Sequence, residues 1–308
     1  MSVISKHGHR TVVRMPKSAI EWSEVYDKPN DTETMYSLAR RLRKEGKDLP
    51  TFIINGGLYD TKSKKTLTTT VDDGNVIIDR HLFGDWGLEL GGVPKFVKYY
   101  KGMKEFIAVH CLYSNKWESG WWKGVSMWFG LSKHPRTVVA DNSEEHVYMT
   151  SDGRTRKVKG KKVRLPGDRY STIVSFLKWF CENIGACDGG GSTRMGWILN
   201  GKLYTLNSPT ENRAVANWIG TKVNDKVVDV RSYSSLGRRR YSRHYTRVLQ
   251  GLLNGLGINC GKVDGWFGRN TERAVKVFQK ANGLKVDGWA GQQTWSELYT
   301  QAIELGIA

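Results

Sequence analysis

Long hydrophobic runs are missing from this chain. The opening Met1-Ser-Val-Ile-Ser-Lys-His-Gly-His-Arg10 holds no unbroken apolar stretch, and no later window approaches the roughly 20 apolar residues of a bilayer-spanning helix. Stable membrane insertion is not expected. The chain is expected to be made in the cytoplasm without a signal peptide, so a target outside the membrane would require release by something else. Cysteine is scarce too. Cys111, Cys181, Cys187 and Cys260 form no C-x-x-C pair and no metal-ligand spacing, which argues for mostly buried thiols over a disulfide framework or a zinc site. Acidic residues also run short, with 30 Asp and Glu against 48 Lys and Arg, a formal charge of +18. Such an excess suits an anionic partner: nucleic acid, an acidic membrane, or a phosphate-bearing wall polymer. Nucleic acid is set aside because the basic residues are dispersed and no reader motif is present.

What remains is ample for folding: 308 residues at 39% hydrophobic and 11% aromatic content can build one large and one small packed domain. The centre of the chain is Asp188-Gly189-Gly190-Gly191-Ser192. Three consecutive glycines lose much chain entropy on ordering, so a fold keeps them where the backbone needs φ > 0 or where a ligand approaches the main chain. A tight turn in which Asp188 bonds its own backbone is the other reading. The apolar spacing of Ile173, Phe176, Leu177, Phe180 and Ile184 predicts a helix over 171–184, capped by Gly185, that leads into this loop.

A second bared stretch is Asn55-Gly56-Gly57, delivered by a short buried strand over 51–54; it is either a turn or a polar site beside exposed backbone. Arg136 opens one predicted strand and Asp152-Gly153-Arg154 closes the next. The basic run 154–164 reads as a solvated loop or a polyanion contact. Asn200-Gly201 is the turn of a hairpin over 197–204, and Arg213 follows it. Trp117, Trp121, Trp122 and Trp128 can stack on sugar rings or pack in a core.

Residues 231–243 lose all periodicity and gather arginines, which reads as a basic linker over 231–242. Beyond it, Val263-Asp264-Gly265-Trp266-Phe267-Gly268 recurs as Val286-Asp287-Gly288-Trp289-Ala290-Gly291, each copy feeding a helix. With a preceding helix over 245–256 this makes a compact three-helix unit.

That terminal unit, 243–308, resembles the peptidoglycan-binding domain of many bacterial and phage wall hydrolases. The resemblance implies wall anchoring with Asp264, Trp266, Asp287 and Trp289 at the expected turns; turn geometry and core packing are the other account of those residues. Residues 1–230 resemble the phosphodiester glycosidase family, through Asn55-Gly56-Gly57, Arg136-Thr137, Asp152-Gly153-Arg154, Asp188 to Ser192, Asn200-Gly201 and Arg213-Ala214-Val215 in that order. Thr193-Arg194 stands where a second serine is usual, and the stretch 77–129 matches poorly. The resemblance implies an α+β catalytic domain, a mixed sheet with helices, ahead of the small all-α domain. It also implies an endolysin-like, bacteriolytic hydrolase cleaving a glycosyl-1-phosphodiester in a wall glycopolymer such as a teichoic acid-like polymer.

Chemistry agrees with that implication. A phosphodiester leaves as a stabilised anion, so cations can replace the protonating acid that an ordinary glycosidase requires. Arg136, Arg154 and Arg213 would hold the phosphate. Asp188 would act as base or oxocarbenium stabiliser, and Asn55 would fix a sugar hydroxyl. Gly56, the amides of Gly189, Gly190 and Gly191, Ser192, Asn200 and Asp152 would bind substrate. No cofactor is expected, although carboxylates and amide oxygens near Asp188 would suit Ca2+ or Mg2+. Two alternatives stay open: a muralytic glycosidase acting on the peptidoglycan backbone, with Glu89, Glu144 or Glu211 as its acid, and a non-catalytic wall adhesion protein.

Overall fold

The computed structural model describes residues 2–28, 30–79, 86–98, 100–114, 132–158, 161–199, 201–207, 213–225, 227–233 and 235–305, with the side chains of 154–166, 232, 303 and 304 outside the description. Two compact units emerge: residues 9–225, and residues 1–8 together with 226–308.

The larger unit is built from antiparallel sheets with helices laid on them. In one sheet the strands follow the order His110–Ser114, Asn183–Ala186, Arg136–Asp141, Glu145–Ser151 and Arg10–Pro16. A second runs Lys202–Thr205, Met195–Leu199, Phe52–Asn55, Asn217–Val223 and Ile20–Asp27, and a third runs Asn75–Ile78, Thr70–Asp72, Phe106–Ala108, Gly87–Glu89 and Lys95–Val97. The first helix, α1 (Met35–Lys44), is started by a capping box between Thr34 and Ser37 and buries Met35, Leu38, Ala39 and Leu42 in a core shared with Ile53 and Trp218. The second, α2 (Tyr170–Leu177), buries Tyr170, Ile173 and Leu177 against Val138, Ala140, Val147 and Met149.

Two departures from the sequence reading matter here. The predicted helix over 171–184 stops at Leu177, and Asn183–Ala186 is a buried strand between His110–Ser114 and Arg136–Asp141, antiparallel to both. Ile184 matched the helical spacing because it falls four residues after Phe180, and a four-residue strand with buried Asn183 and Gly185 on one face and Ile184 and Ala186 on the other is too short to show its own period. Gly185 is therefore no cap. It is the residue that fits where a Cβ would lie 2.7 Å from Val109 Cγ2 and 2.9 Å from the Trp86 ring. The basic run is likewise a two-stranded hairpin, Gly153–Val158 with Lys161–Pro166, and not a loop.

The small unit carries α3 (Arg243–Gly255), α4 (Arg269–Ala281) and α5 (Gln292–Glu304). Their core joins Leu249, Leu253, Phe267, Val275, Phe278, Trp295 and Leu298. Residues 231–242 are not a free linker, because Leu236 is buried in that core and Tyr233 and Tyr241 pack against it. The unit also takes in the strand Ser2–His7, which pairs in parallel with Val227–Asp229 and places Val3 in the same core. A few anchoring apolar residues spaced along irregular chain leave no period to read.

Candidate active site

The Asp188 loop is fixed at its backbone from two sheets. Leaving Asn183–Ala186, the chain donates Cys187 N–H to the Thr137 carbonyl at 3.0 Å, then Asp188 N–H to the Gly56 carbonyl at 2.9 Å. Asp188 is thus held where the strands Arg136–Asp141 and Phe52–Asn55 bring their ends together. Asn55 makes the junction. It is fully buried, its Nδ2 donates to the Asp188 carbonyl at 2.8 Å, and its Oδ1 accepts from Thr137 Oγ1 at 2.8 Å and from the Arg194 N–H at 2.9 Å. Gly56 and Gly57 are demanded by close packing. A Cβ on Gly56 would sit 2.2 Å from Asn217 Oδ1, and one on Gly57 would sit 2.0 Å from Thr68 Oγ1. Within the triplet, Gly190 is the residue in the left-handed region, at φ 67°.

The Asp188 carboxyl accepts the Gly189 N–H at 2.8 Å and is hydrogen-bonded to the buried Ser192 hydroxyl, with the charge of half-buried Arg213 also reaching it. Burial pushes its pKa up to about 6, against the opposing pull of those two bonds and of Arg213. Tyr59 completes the cluster. Its hydroxyl donates to the Ala214 carbonyl at 2.9 Å, is hydrogen-bonded to both Ser192 and Arg213, and is raised in pKa chiefly by burial. Asp188, Ser192 and Arg213, expected from sequence, therefore converge, and Tyr59 joins them unforeseen. The signal for Tyr59 was its place two residues after Asn55-Gly56-Gly57, since a strand end that meets the Asp188 loop carries its neighbours there.

Other expected roles are corrected. Arg136 is 1% exposed: its Nε donates to the Asp168 carbonyl at 3.2 Å, Nη2 to the Ser132 carbonyl at 3.0 Å, and the guanidinium lies 4.0 Å over the Tyr170 ring. It braces the base of the site and is not open to a substrate phosphate. Asn55, fully buried, spends its Nδ2 on the Asp188 carbonyl and its Oδ1 on Thr137 and the Arg194 N–H, which makes it a brace of the loop and not a group facing a sugar hydroxyl. Two of the loop amides are committed, Gly189 N–H to Asp188 and Gly190 N–H to the Pro135 carbonyl at 3.0 Å, and buried Gly191 sits within the single 3-10 turn Gly190–Ser192. Asp152 is buried, accepting from Asn207 Nδ2 at 3.0 Å and donating its N–H to the His9 carbonyl at 2.8 Å, so it ties strand ends together instead of meeting substrate. The Arg154 side chain, Asn200, Glu211 and the tryptophans at 117–128 lie outside the described residues. Glu144 is exposed at the end of Arg136–Asp141 opposite the Asp188 loop, and Glu89 lies in the third sheet. Among the described residues, the Asp188 carboxyl is met by an N–H, a hydroxyl and a guanidinium, which are donors to an anion and not ligands of a cation such as Ca2+ or Mg2+.

In the small unit the two repeats carry the same polar knot. Gln250 Nε2 donates to Asp264 Oδ1 (3.0 Å), the Trp266 carbonyl (3.2 Å) and Thr271 Oγ1 (3.2 Å). Gln279 Nε2 does the same to Asp287 Oδ1 (3.0 Å), the Trp289 carbonyl (2.9 Å) and Thr294 Oγ1 (3.2 Å). Each aspartate also accepts the N–H of its tryptophan, at 2.8 and 2.9 Å. Gln250 and the Trp266 N–H hold the Asp264 carboxyl below the usual carboxylate range. Asp264 and Asp287 thus build their turns, and the Trp266 and Trp289 rings reach the surface at 59% and 40% exposure.

Residues 245–298 match the family described as "Putative peptidoglycan binding domain". Among solved structures, the chain is similar to a hypothetical protein from Synechocystis at 12% identity and a TM-score of 0.52, covering 72% of this chain and 61% of that one. That likeness is one of fold. The zebrafish N-acetylglucosamine-1-phosphodiester alpha-N-acetylglucosaminidase catalytic domain, auto-inhibited by its pro-peptide, aligns at 16% identity and a TM-score of 0.48 over 70% of this chain and 77% of that one. A peptidoglycan-binding protein from Clostridioides difficile, in complex with glutamine hydroxamate, aligns at 22% identity and a TM-score of 0.21 over 36% of this chain and 63% of that one.

Proposed function

We propose that this protein is a wall-directed hydrolase: the larger unit cleaves a glycosidic bond, a glycosyl-1-phosphodiester in a bacterial wall glycopolymer, and the small unit anchors it to peptidoglycan. The carrying observation is the company Asp188 keeps. Among the described residues its charged neighbour is Arg213, a cation, and not the second carboxylate that an ordinary glycosidase places roughly 5–10 Å away. A phosphodiester leaving group needs no protonation. Arg213, half-exposed beside Asp188, would take the departing phosphate through its guanidinium fork. Asp188, with its pKa raised to about 6, would draw the proton from the attacking water or stabilise the oxocarbenium ion. Ser192 and Tyr59 would hold the carboxylate and guanidinium in register, and Asn55 would hold the loop that carries them. Anchoring raises the effective concentration of wall substrate at this site. In this reading the protein is made inside a host cell and reaches the wall after release.

The test is to incubate the full chain with purified Gram-positive walls beside an Asp188→Ala variant and analyse the soluble products by mass spectrometry. Phosphate-bearing sugar fragments released by the parent and not by the variant are expected. Muropeptides with new reducing ends would move the reaction to the glycan backbone. No release, with wall binding retained, would favour adhesion over hydrolysis.

A further inference from the structure

The two repeats of the small unit share a fold but not a state of occupancy. Over the second repeat lies the chain's own segment 235–240. Leu236 and Ala290 exchange two backbone hydrogen bonds of 3.2 and 2.9 Å, and Gly237 lies on the Trp289 indole so closely that a Cβ there would come within 2.7 Å of Cδ2. The neighbouring Arg238 places Nη1 3.6 Å from Glu272 Oε2. This is a peptide seated on an indole with a cation on a carboxylate. Over the first repeat no such segment lies among the described residues. Trp266 is the more exposed ring, with Gly268 beside it and the edge of Tyr241 at 5.5 Å and 65°, which leaves an open aromatic corner.

The rims differ in charge. Gly288 packs against the side chains of Glu272 and Lys276 of α4, and Gly265 packs at the same place against the Arg243 carbonyl and the Arg247 side chain of α3, both residues exposed. An acid and a base in the occupied repeat are thus replaced by two arginines in the open one. We infer that the first repeat, with Trp266 and Tyr241 as its corner and Arg243 and Arg247 as its rim, is the binding face of the small unit and takes a carboxylate-bearing stretch of peptidoglycan, while the second repeat is filled by the chain itself. A sugar face or peptide methylene covers the indole as Gly237 does on Trp289, and the carboxylate stands where the rim charge is reversed. The carboxylates of peptidoglycan belong to its peptide stems. This rests on the wall-directed reading of the module but not on the hydrolytic one.

The experiment is co-sedimentation of the full chain with purified walls, intact or stripped of phosphate polymers by hydrofluoric acid, with the melting temperature of each variant followed alongside. Trp266→Ala and the pair Arg243→Gln with Arg247→Gln are expected to weaken binding about tenfold or more at unchanged melting temperature. Trp289→Phe should stay within about twofold, and stripped walls should bind as well as intact ones. Unchanged binding by Trp266→Ala and by the arginine pair would overturn the assignment, as would loss of binding to stripped walls, which would make the ligand a phosphate polymer. Failure of the parent protein to bind any wall would refute the wall-directed reading itself.

Discussion

Replacing Asn55 by Ala separates two accounts of the same residue. If Asn55 gripped a substrate hydroxyl, the variant would keep its stability and lose affinity. The structure makes it a fully buried brace with three hydrogen bonds, to the Asp188 carbonyl, the Thr137 hydroxyl and the Arg194 N–H. Losing three such bonds costs about 1 kcal/mol each, and stranding buried partners adds more, so the total loss comes to about 3–5 kcal/mol. For a unit of this size, at about 2–4 °C per kcal/mol, the melting temperature of the larger unit should fall by roughly 6–20 °C. Calorimetry would resolve that transition, and wall-digestion kinetics at a temperature where both proteins are folded would show whether kcat falls more than KM rises, because a loosened Asp188 loop damages the chemical step. A shift under about 2 °C accompanied by a raised KM would refute the bracing argument and return Asn55 to the substrate.

With the Asp188 carboxyl raised to about 6, activity that needs the carboxylate should climb as pH passes through about 6, a limb that Asp188→Asn removes along with turnover. Because the folded form keeps this proton where the unfolded chain has already released it, Asp188 lowers stability as pH rises between about 4 and 6 and not further above; urea unfolding at pH 7 should find Asp188→Asn more stable by about 1–2 kcal/mol, and a less stable variant would contradict the burial assigned to it. In the small unit, Gln250→Ala and Gln279→Ala each undo one polar knot and should lower its unfolding midpoint by comparable amounts, worth about 2–4 kcal/mol, followed by tryptophan fluorescence; a large loss for one and none for the other would show that the knots are not equivalent.

Features that depend on local chain chemistry are legible along the chain alone. The two Val-Asp-Gly-Trp copies announced a repeated turn and helix because the turn needs an Asp and a positive-φ Gly at set positions, and Gly265 and Gly288 take φ 79° and 74°. Asn55-Gly56-Gly57 and the Asp188 loop stood out for the same reason, as glycine clusters bounded by polar side chains. Composition and order of motifs were enough for an α+β domain followed by a helical one. Which side of each motif faces the site is set by packing between elements distant in the chain. Arg136 and Asp152 carry charges that sequence assigns to ligands, yet packing buries them against backbone carbonyls, the Tyr170 ring and Asn207. Tyr59 is an ordinary aromatic in the sequence and reaches Ser192 and Arg213 only because two strands end side by side. The strand Asn183–Ala186 passed for helix because four residues are too few to show alternation and Ile184 continues the apolar spacing of the helix before it, and the segment 231–242 passed for a linker because its anchors, Tyr233, Leu236 and Tyr241, follow no period. Long-range packing fixes these, and neither propensity nor spacing along the chain encodes it.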